Sequence, residues 1–160
     1  MNNSAKVEHK ETDLRLMNLA IKESKKALNL GEVPVGCIIA DSYGKVVSSG
    51  YNMTITNNDP TAHAEIVAIR NAALSLSNYR LNNLSLYVTL EPCAMCIGAI
   101  VQARIKKIIF SAYDEKTGMC GSCMNILQGN CFNHFPEIIG GILQNKSSTI
   151  LSSFFKSKRN

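Results

Sequence analysis

Apolar residues along the chain form five short segments with the spacing or continuity of β-strands. Glycine, serine, asparagine or proline residues bound most of them, as expected where strands end in turns. The five segments are VPVGCIIA (33–40), KVVSSGY (45–51), LSLYVTL (84–90), KKIIFSA (106–112) and EIIG (137–140). Because SYG lies between the first two, these are predicted to pair as a hairpin.

Apolar residues at helical spacing predict four helices around these strands. The predicted helices run from Thr12 or Asp13 to about Leu30, from Ala62 to about Leu76, from Pro92 to about Ala103, and from Ser147 to Phe155. A short helical piece is also predicted near residues 124–127. Helix, hairpin and then alternating strands and helices indicate an α/β protein. We expect a three-layer α/β/α sandwich around one mixed five-stranded sheet.

Length and composition are those of one globular domain. The chain has 160 residues, of which 46% are hydrophobic and 18% charged, and we assign residues 13–160 to the domain and residues 1–12 to a polar tail. No apolar run approaches the roughly 18 residues of a membrane span, and the N-terminus does not resemble a signal peptide. We therefore expect a cytoplasmic protein, whose six cysteines are metal ligands or core residues rather than disulfides.

Positive charge is concentrated at the C-terminal end. The net charge is +5, and no acidic residue follows Glu137. A basic end suits a polyanion such as nucleic acid. The same charge would also increase solubility, and cations are favourable near the C-terminus of a helix. On charge alone, we favour this interpretation over nucleic-acid binding.

Two short motifs place metal-binding residue types at the starts of two predicted helices. Cys93 and Cys96 are three residues apart in EPCAMC, and His63 and Glu65 lie in TAHAE. If the two helix starts converge, His63, Cys93 and Cys96 supply three zinc ligands and leave a fourth position for water. Zinc lowers the pKa of such a water to about 7, and Glu65 could then carry its proton.

A second C-x-x-C pair offers a competing interpretation. Cys120 and Cys123 follow Cys96 after 23 intervening residues, and four cysteines could form a closed zinc site in a non-catalytic module that binds nucleic acid. However, that gap exceeds the roughly 15–20 residues of the zinc-ribbon pattern. A four-cysteine site would also leave His63 and Glu65 without a role, so we interpret Cys120 and Cys123 as ordinary thiols.

The order H-x-E…P-C-x-x-C is the known signature of zinc-dependent nucleobase deaminases. From about residue 13 to the end, the chain further resembles the bacterial tRNA-specific adenosine deaminases, members of the cytidine deaminase-like superfamily. The segments that carry the resemblance are GEVPVGCII, NDPTAHAEI, LYVTLEPCAMCIGAI, DEKTGMCGS and LSSFFKSKR.

This resemblance implies a homodimer with one zinc ion per subunit that converts adenosine to inosine at the wobble position of an arginine tRNA. The partner would be the tRNA anticodon loop, and neither a membrane nor a protein cofactor is implied. Asn52 would hydrogen-bond the target base, the backbone around Ala64 would read its edge, and Val33 and Leu90 would line the pocket. The remaining implied contacts are to the anticodon loop. They are Lys116, Phe154, Phe155, Lys156, Lys158 and Arg159.

The chain departs from the family pattern at three positions. Phe135 follows the Asn-His pair where the family commonly has arginine, and Cys120 and Cys123 are usually not cysteine in the family. Within the same superfamily, a deaminase of free guanine or cytosine is the alternative. The basic aromatic terminus and the DEKTG loop favour RNA, because an enzyme of small molecules needs neither.

Overall fold

The computed structural model describes residues 3–160, and side chains are described from Lys10 onward. The four helices are α1 (Asn3–Asn29), α2 (Ala64–Leu76), α3 (Ala94–Gln102) and α4 (Gln144–Arg159), with a short 3-10 helix at Ile126–Gln128. The strands are β1 (Gly36–Ala40), β2 (Val46–Tyr51), β3 (Ser85–Leu90), β4 (Lys107–Ala112) and β5 (Glu137–Gly140).

The five strands form one mixed sheet in the order β2-β1-β3-β4-β5. Strand β1 is antiparallel to both β2 and β3, whereas β3, β4 and β5 run parallel. The carboxyl ends of β3 and β4 therefore meet at one edge, where the segments that follow them can form a site. The predicted five-stranded mixed sheet is confirmed.

Alternating strand residues separate two apolar layers. Cys37 and Ile39 of β1 belong to a core shared with α2 and α3, while Ile38 and Ala40 belong to a second core under α1. Because successive strand residues face opposite sides of a sheet, this division follows from the strand geometry. It confirms the predicted three-layer sandwich.

Two helices are longer than their apolar patterns predicted. Helix α1 begins at Asn3 rather than at Thr12 or Asp13, because the segment between contains no glycine or proline and is rich in residues that favour helices. Much of the predicted polar tail is thus helical, although residues 1–2 lie outside the described part. Helix α4 begins at Gln144 and ends at Arg159 rather than spanning 147–155.

Within the described residues, none of the helices has the length and apolar character that crossing a bilayer requires.

Candidate active site

The two motif-bearing helices start on the same side of the sheet. His63 is the N-terminal cap of α2, and Cys93 is the N-terminal cap of α3. A Cβ atom at Gly50 of β2 would lie 2.6 Å from the carbonyl oxygen of Ala64, so glycine allows the start of α2 to lie directly against the sheet. The start of α2 is therefore held by close backbone packing.

His63, Cys93 and Cys96 form a compact group of potential metal ligands. His63 Nδ1 lies 3.7 Å from Cys93 Sγ and 3.6 Å from Cys96 Sγ, and all three atoms lie within 4.8 Å of one another. A tetrahedral zinc ion with ordinary bond lengths holds its nitrogen and sulfur ligands about 3.6 Å apart. The donor set and its spacing therefore fit one zinc ion.

The electrostatics of the two thiols are unequal. Hydrogen bonds from Cys96 and then His63 lower the pKa of Cys93 to about 4, so its sulfur is a thiolate at neutral pH. The same contact with Cys93, together with burial, raises the pKa of Cys96. Because a metal binds the thiolate form, zinc binding must displace the proton of Cys96.

Glu65 lies beside this group in the first turn of α2 but outside the ligand set. Its side chain is 4% exposed, and burial raises the pKa of its carboxyl group to about 7. A carboxyl group with a pKa near neutrality can both accept and release a proton under ordinary conditions. Glu65 is therefore suited to proton transfer at this site.

A cavity of about 180 Å³ opens onto His63, Cys93 and Glu65. Four other residues predicted at the site, Val33, Asn52, Ala64 and Leu90, line it as well. The cavity wall also contains residues that the sequence did not indicate. These are Val35, Glu91, Asp114 and Thr117.

Asn52 is the residue in this wall best placed to recognise a ligand. It is buried, and its backbone N–H donates to the carbonyl oxygen of Val35. Its side-chain amide makes no hydrogen bond to another described residue. Among the described residues, the buried side-chain polar atoms that lack a partner are the hydroxyls of Ser111 and Ser147, so the unpaired Asn52 amide is reachable from the cavity and available to a ligand.

A wider groove of about 510 Å³ adjoins the cavity and shares Leu90, Asp114 and Thr117 with it. We call it the α4–loop groove, because it lies between α4 and residues 113–117. Three of the predicted RNA contacts, Lys116, Phe155 and Arg159, line it. The groove can therefore accommodate parts of a ligand larger than a base.

The other three predicted RNA contacts lie elsewhere. Phe154 is only 8% exposed and belongs to the interior, where its ring meets the Phe155 ring edge-on with centroids 5.4 Å apart. Lys158 Nζ lies 5.4 Å from the centre of the Phe154 ring, and Lys156 lines a shallow depression on the outer face of α4. The burial of Phe154 thus favours a core role over the RNA contact, since neighbouring helical residues point in different directions.

Glu91 anchors the loop that forms one wall of the cavity. Its carboxylate accepts the backbone N–H groups of Asp114, Cys120 and Ser122 at 3.0, 3.0 and 3.1 Å, and it also accepts the Ser122 hydroxyl. A Cβ atom at Gly118 would collide with this carboxylate, so the loop passes directly over Glu91. The only sequence signal was an acidic residue directly after an apolar strand.

We expect Glu91→Gln to destabilise the protein by about 1–3 kcal/mol. Each of the two carboxylate oxygens accepts at least one backbone N–H. Glutamine replaces one oxygen with an NH₂ group, so in either orientation of its amide this group would face a backbone N–H. Urea unfolding measures the loss, and hydrogen exchange should show faster exchange at Cys120 and Ser122. Ser122→Ala removes one hydroxyl contact and should cost less. Equal stability of Glu91→Gln and the unmodified protein would contradict the anchoring role.

A second buried carboxylate anchors the segment that joins two cavity-lining residues, Asn52 and His63. Glu32 accepts the backbone N–H of Thr56 at 2.6 Å and the hydroxyl of Thr54 at 3.2 Å. Burial raises its pKa, but these hydrogen bonds outweigh burial and lower the pKa overall. The segment between Asn52 and His63 is therefore fixed by a carboxylate from outside it.

The downstream cysteines are not part of the metal-ligand group formed by the described residues. Cys120 packs against the larger core, and burial, followed by the negative charges of Glu91 and Glu65, raises its pKa to about 12. Cys123 is exposed. These surroundings support interpreting the pair as ordinary thiols.

Comparison with known proteins agrees with this geometry. Residues 10–112 match the zinc-binding region of cytidine and deoxycytidylate deaminases. The chain is 46% identical to the tRNA-specific adenosine deaminase of Haemophilus influenzae, covering 93% of this chain and 86% of that protein. It is 43% identical to the Bacillus subtilis enzyme of the same name, covering 89% and 88%.

Solved structures give the same result. One from studies of A-to-I editing by tRNA:A34 deaminases has a TM-score of 0.83 and 39% identity, covering 86% of this chain and 99% of that one. Guanine deaminase from Nitrosomonas europaea has a TM-score of 0.73, covering 88% of this chain and 83% of that one, but its 16% identity shows the fold alone. From these relatives and the matched zinc-binding region together, we conclude that this chain is a member of the tRNA-specific adenosine deaminase family, with zinc as its cofactor.

Proposed function

We propose that this protein hydrolyses adenosine to inosine and ammonia at the wobble position of tRNA, with an arginine tRNA as substrate. The observation that carries the proposal is the placement of buried Glu65 beside the group His63, Cys93 and Cys96, at a cavity of about 180 Å³. Enzymes that act on one base extrude it into a pocket of this kind. The relatives named for tRNA adenosine deamination support the choice of base and RNA.

His63, Cys93 and Cys96 would hold one zinc ion per subunit. When bound there, zinc supplies an acidified water as the nucleophile. Glu65 would accept the proton from that water and deliver it to the adenine ring nitrogen next to the attacked carbon. It would then take the remaining proton of the added hydroxyl group and give it to the departing amino group, so that ammonia leaves and the ring keeps the oxygen.

Residues around the cavity would hold the base in place for this reaction. Asn52 would hydrogen-bond the target base through its free side-chain amide, and the backbone at Ala64 would read the base edge. Val33 and Leu90, on the cavity wall, would pack against the ring faces. A base held in this way presents its ring nitrogen and amino group to Glu65, and orientation of this kind contributes substantially to the rate.

The α4–loop groove would accept the nucleotides that flank the target. RNA loops are recognised by stacking splayed bases on aromatic rings and by pairing phosphates with cations. Phe155 is 45% exposed and lines this groove with Lys116 and Arg159, while Lys156 and Lys158 would meet phosphates outside it. We place the enzyme in the cytoplasm, as expected from the sequence, and as a homodimer, because the family resemblance implies one.

Inosine formation on an arginine-tRNA anticodon stem-loop tests this proposal, with zinc content measured on the same sample. We expect about one zinc ion per chain and inosine at the wobble position alone. Free adenosine, guanine and cytosine serve as competing substrates. Activity on a free base without activity on the stem-loop would contradict the tRNA assignment and favour a nucleobase deaminase.

A further inference from the structure

A second concave surface lies between α1 and α4, outside the cavity and the α4–loop groove. This α1–α4 groove has a volume of about 740 Å³ and is open to solvent. Lys22 and Lys25 of α1 face it from one side, and Lys146 of α4 faces it from the other. Nothing in the deamination chemistry requires these three lysines.

The charge of this groove is not neutralised by neighbouring carboxylates. The ion pairs formed by the described residues are Lys26–Glu23, Arg70–Asp59 and Lys107–Glu137, and they include none of the three groove lysines. Helix α4 itself contains no acidic residue. Three exposed cations facing one concavity create a positive potential that suits a polyanion.

Neutral polar groups accompany the lysines. Asn18, Asn145 and Thr149 also line the groove, and Lys146 Nζ donates to Asn18 Oδ1 at 3.2 Å across it. This contact holds the ammonium group over the groove. Ammonium and amide groups together are the usual partners of phosphate oxygens.

The lining lacks the features that recognise unpaired bases. Its apolar members are Ile21 and Ile150, and no aromatic residue is among the described residues that line it. Base recognition in single-stranded RNA relies on aromatic stacking, whereas duplex RNA is contacted mainly through its backbone. The groove therefore suits phosphates of a stem better than bases of a loop.

Helix α4 connects this groove to the site of reaction. Asn145, Lys146 and Thr149 face the α1–α4 groove, while Phe155 and Arg159 line the α4–loop groove. On the other side, α1 ends at Asn29, shortly before the cavity-lining Val33. An RNA whose loop enters the cavity could thus extend its stem across α4.

We propose that the α1–α4 groove binds the phosphate backbone of the tRNA stem adjoining the anticodon loop, through Lys22, Lys25 and Lys146. The proposal rests on the proposed function, because the loop must occupy the neighbouring cavity. The stem contact would increase affinity and orient the loop without taking part in proton transfer. Its effect should therefore appear in KM rather than in kcat.

The test compares two triple variants with equal loss of charge. The groove variant carries Lys22→Gln, Lys25→Gln and Lys146→Gln. The control carries Lys10→Gln, Lys45→Gln and Lys106→Gln, which change exposed lysines at the other end of the fold, near the β1–β2 turn and the start of β4. Zinc content and thermal unfolding confirm that both variants are folded.

Binding of the anticodon stem-loop is measured by fluorescence anisotropy over a salt series, beside a loop oligonucleotide that has no stem. For the stem-loop, we expect the groove variant to bind at least about tenfold more weakly. The slope of log Kd against log salt concentration should decrease by about 2–3, because three phosphate contacts are lost. The control variant should change little. For the stemless loop, both variants should bind like the unmodified protein, and kcat should be unchanged.

Three results would overturn the proposal. An unchanged Kd and slope in the groove variant would exclude a stem contact there and leave an acidic protein as the occupant to test. Equal losses in both triple variants would indicate non-specific charge. If the groove variant lost as much affinity for the stemless loop as for the stem-loop, the lysines would contact the loop rather than the stem. Each of these is distinct from a failure of the proposed function, in which the unmodified protein itself forms no inosine.

Discussion

Glu65→Gln should abolish deamination while leaving the zinc ion bound. Glutamine has nearly the same size as glutamate, so it fits a side-chain site that is 4% exposed without opening a cavity. It cannot take a proton from water or deliver one to the base. Loss of general acid–base catalysis alone costs about 10²–10⁴-fold in rate, and Glu65 would serve several transfers in succession, so we expect at least the upper part of this range.

The measurement pairs single-turnover inosine formation with zinc analysis of the same preparation. Because Glu65 lies outside the ligand group of His63, Cys93 and Cys96, the variant should keep about one zinc ion per chain. Glu137→Gln is the matched control, since Glu137 is an exposed residue at the start of β5 and should support normal turnover. A Glu65→Gln enzyme within a few-fold of the normal rate would refute the assigned role.

The sequence predicted the sheet and the metal-ligand group because both depend on local patterns. Ile38 and Ile39 belong to a continuous apolar segment whose length favours a strand. His63 and Cys93 each stand where a proline or polar residue marks the start of a helix. The structure brings these helix starts together, while the roles of the individual residues stay predictions that the variants test.

The residues that the sequence missed are fixed by contacts between distant parts of the chain. Glu91 binds backbone N–H groups of Asp114, Cys120 and Ser122, and no local pattern identifies which loop will pass over a carboxylate. The same holds for Glu32 and Thr56. These contacts become visible only when the packing of the whole domain is known.

The two carboxylates also explain how a small cavity keeps its shape. Each is buried, and each accepts hydrogen bonds from a segment that leads to cavity-lining residues. Loops without such anchors are commonly mobile, and a poorly placed base would react slowly because orientation accounts for much of the rate. Glu32 and Glu91 therefore hold in place the segments that lead to the cavity-lining residues.

Sequence alone does not show which of two adjacent helical residues faces the interior. Phe154 and Phe155 are adjacent, and residues that follow each other on a helix point about 100° apart. The family resemblance implied RNA contacts for both, while the sequence alone left a core role for Phe154 equally open. Packing against the sheet decides the matter, since it turns Phe154 inward and leaves Phe155 on the α4–loop groove.

His63→Ala should remove zinc from the protein, and with it the activity. In the proposed site three protein ligands would hold the ion, and a site reduced to Cys93 and Cys96 would have lost its nitrogen donor. Changing residues that merely support zinc ligands costs about 10–100-fold in affinity, so loss of a ligand itself should exceed this range. Competition with a chromogenic chelator measures zinc affinity, and added imidazole should partly restore binding, since His63 lines the cavity.

The pH dependence of zinc binding has a definite sign. The pKa of Cys96 is raised in the metal-free site, so its thiol is protonated at neutral pH and zinc binding releases that proton. Affinity should therefore increase as pH rises. An affinity independent of pH would show that the proton on Cys96 does not oppose zinc binding.

Cys120→Ser and Cys123→Ser discriminate between the two metal sites that the sequence allows. In an open site made by His63, Cys93 and Cys96, both serine variants keep about one zinc ion per chain, whereas Cys93→Ser loses it. In a closed four-cysteine site, Cys120→Ser and Cys123→Ser would instead lose zinc as severely as Cys93→Ser. That site would fill all four tetrahedral positions with sulfur. Zinc retention by both variants, together with zinc loss in His63→Ala, would therefore establish that one position is open to water.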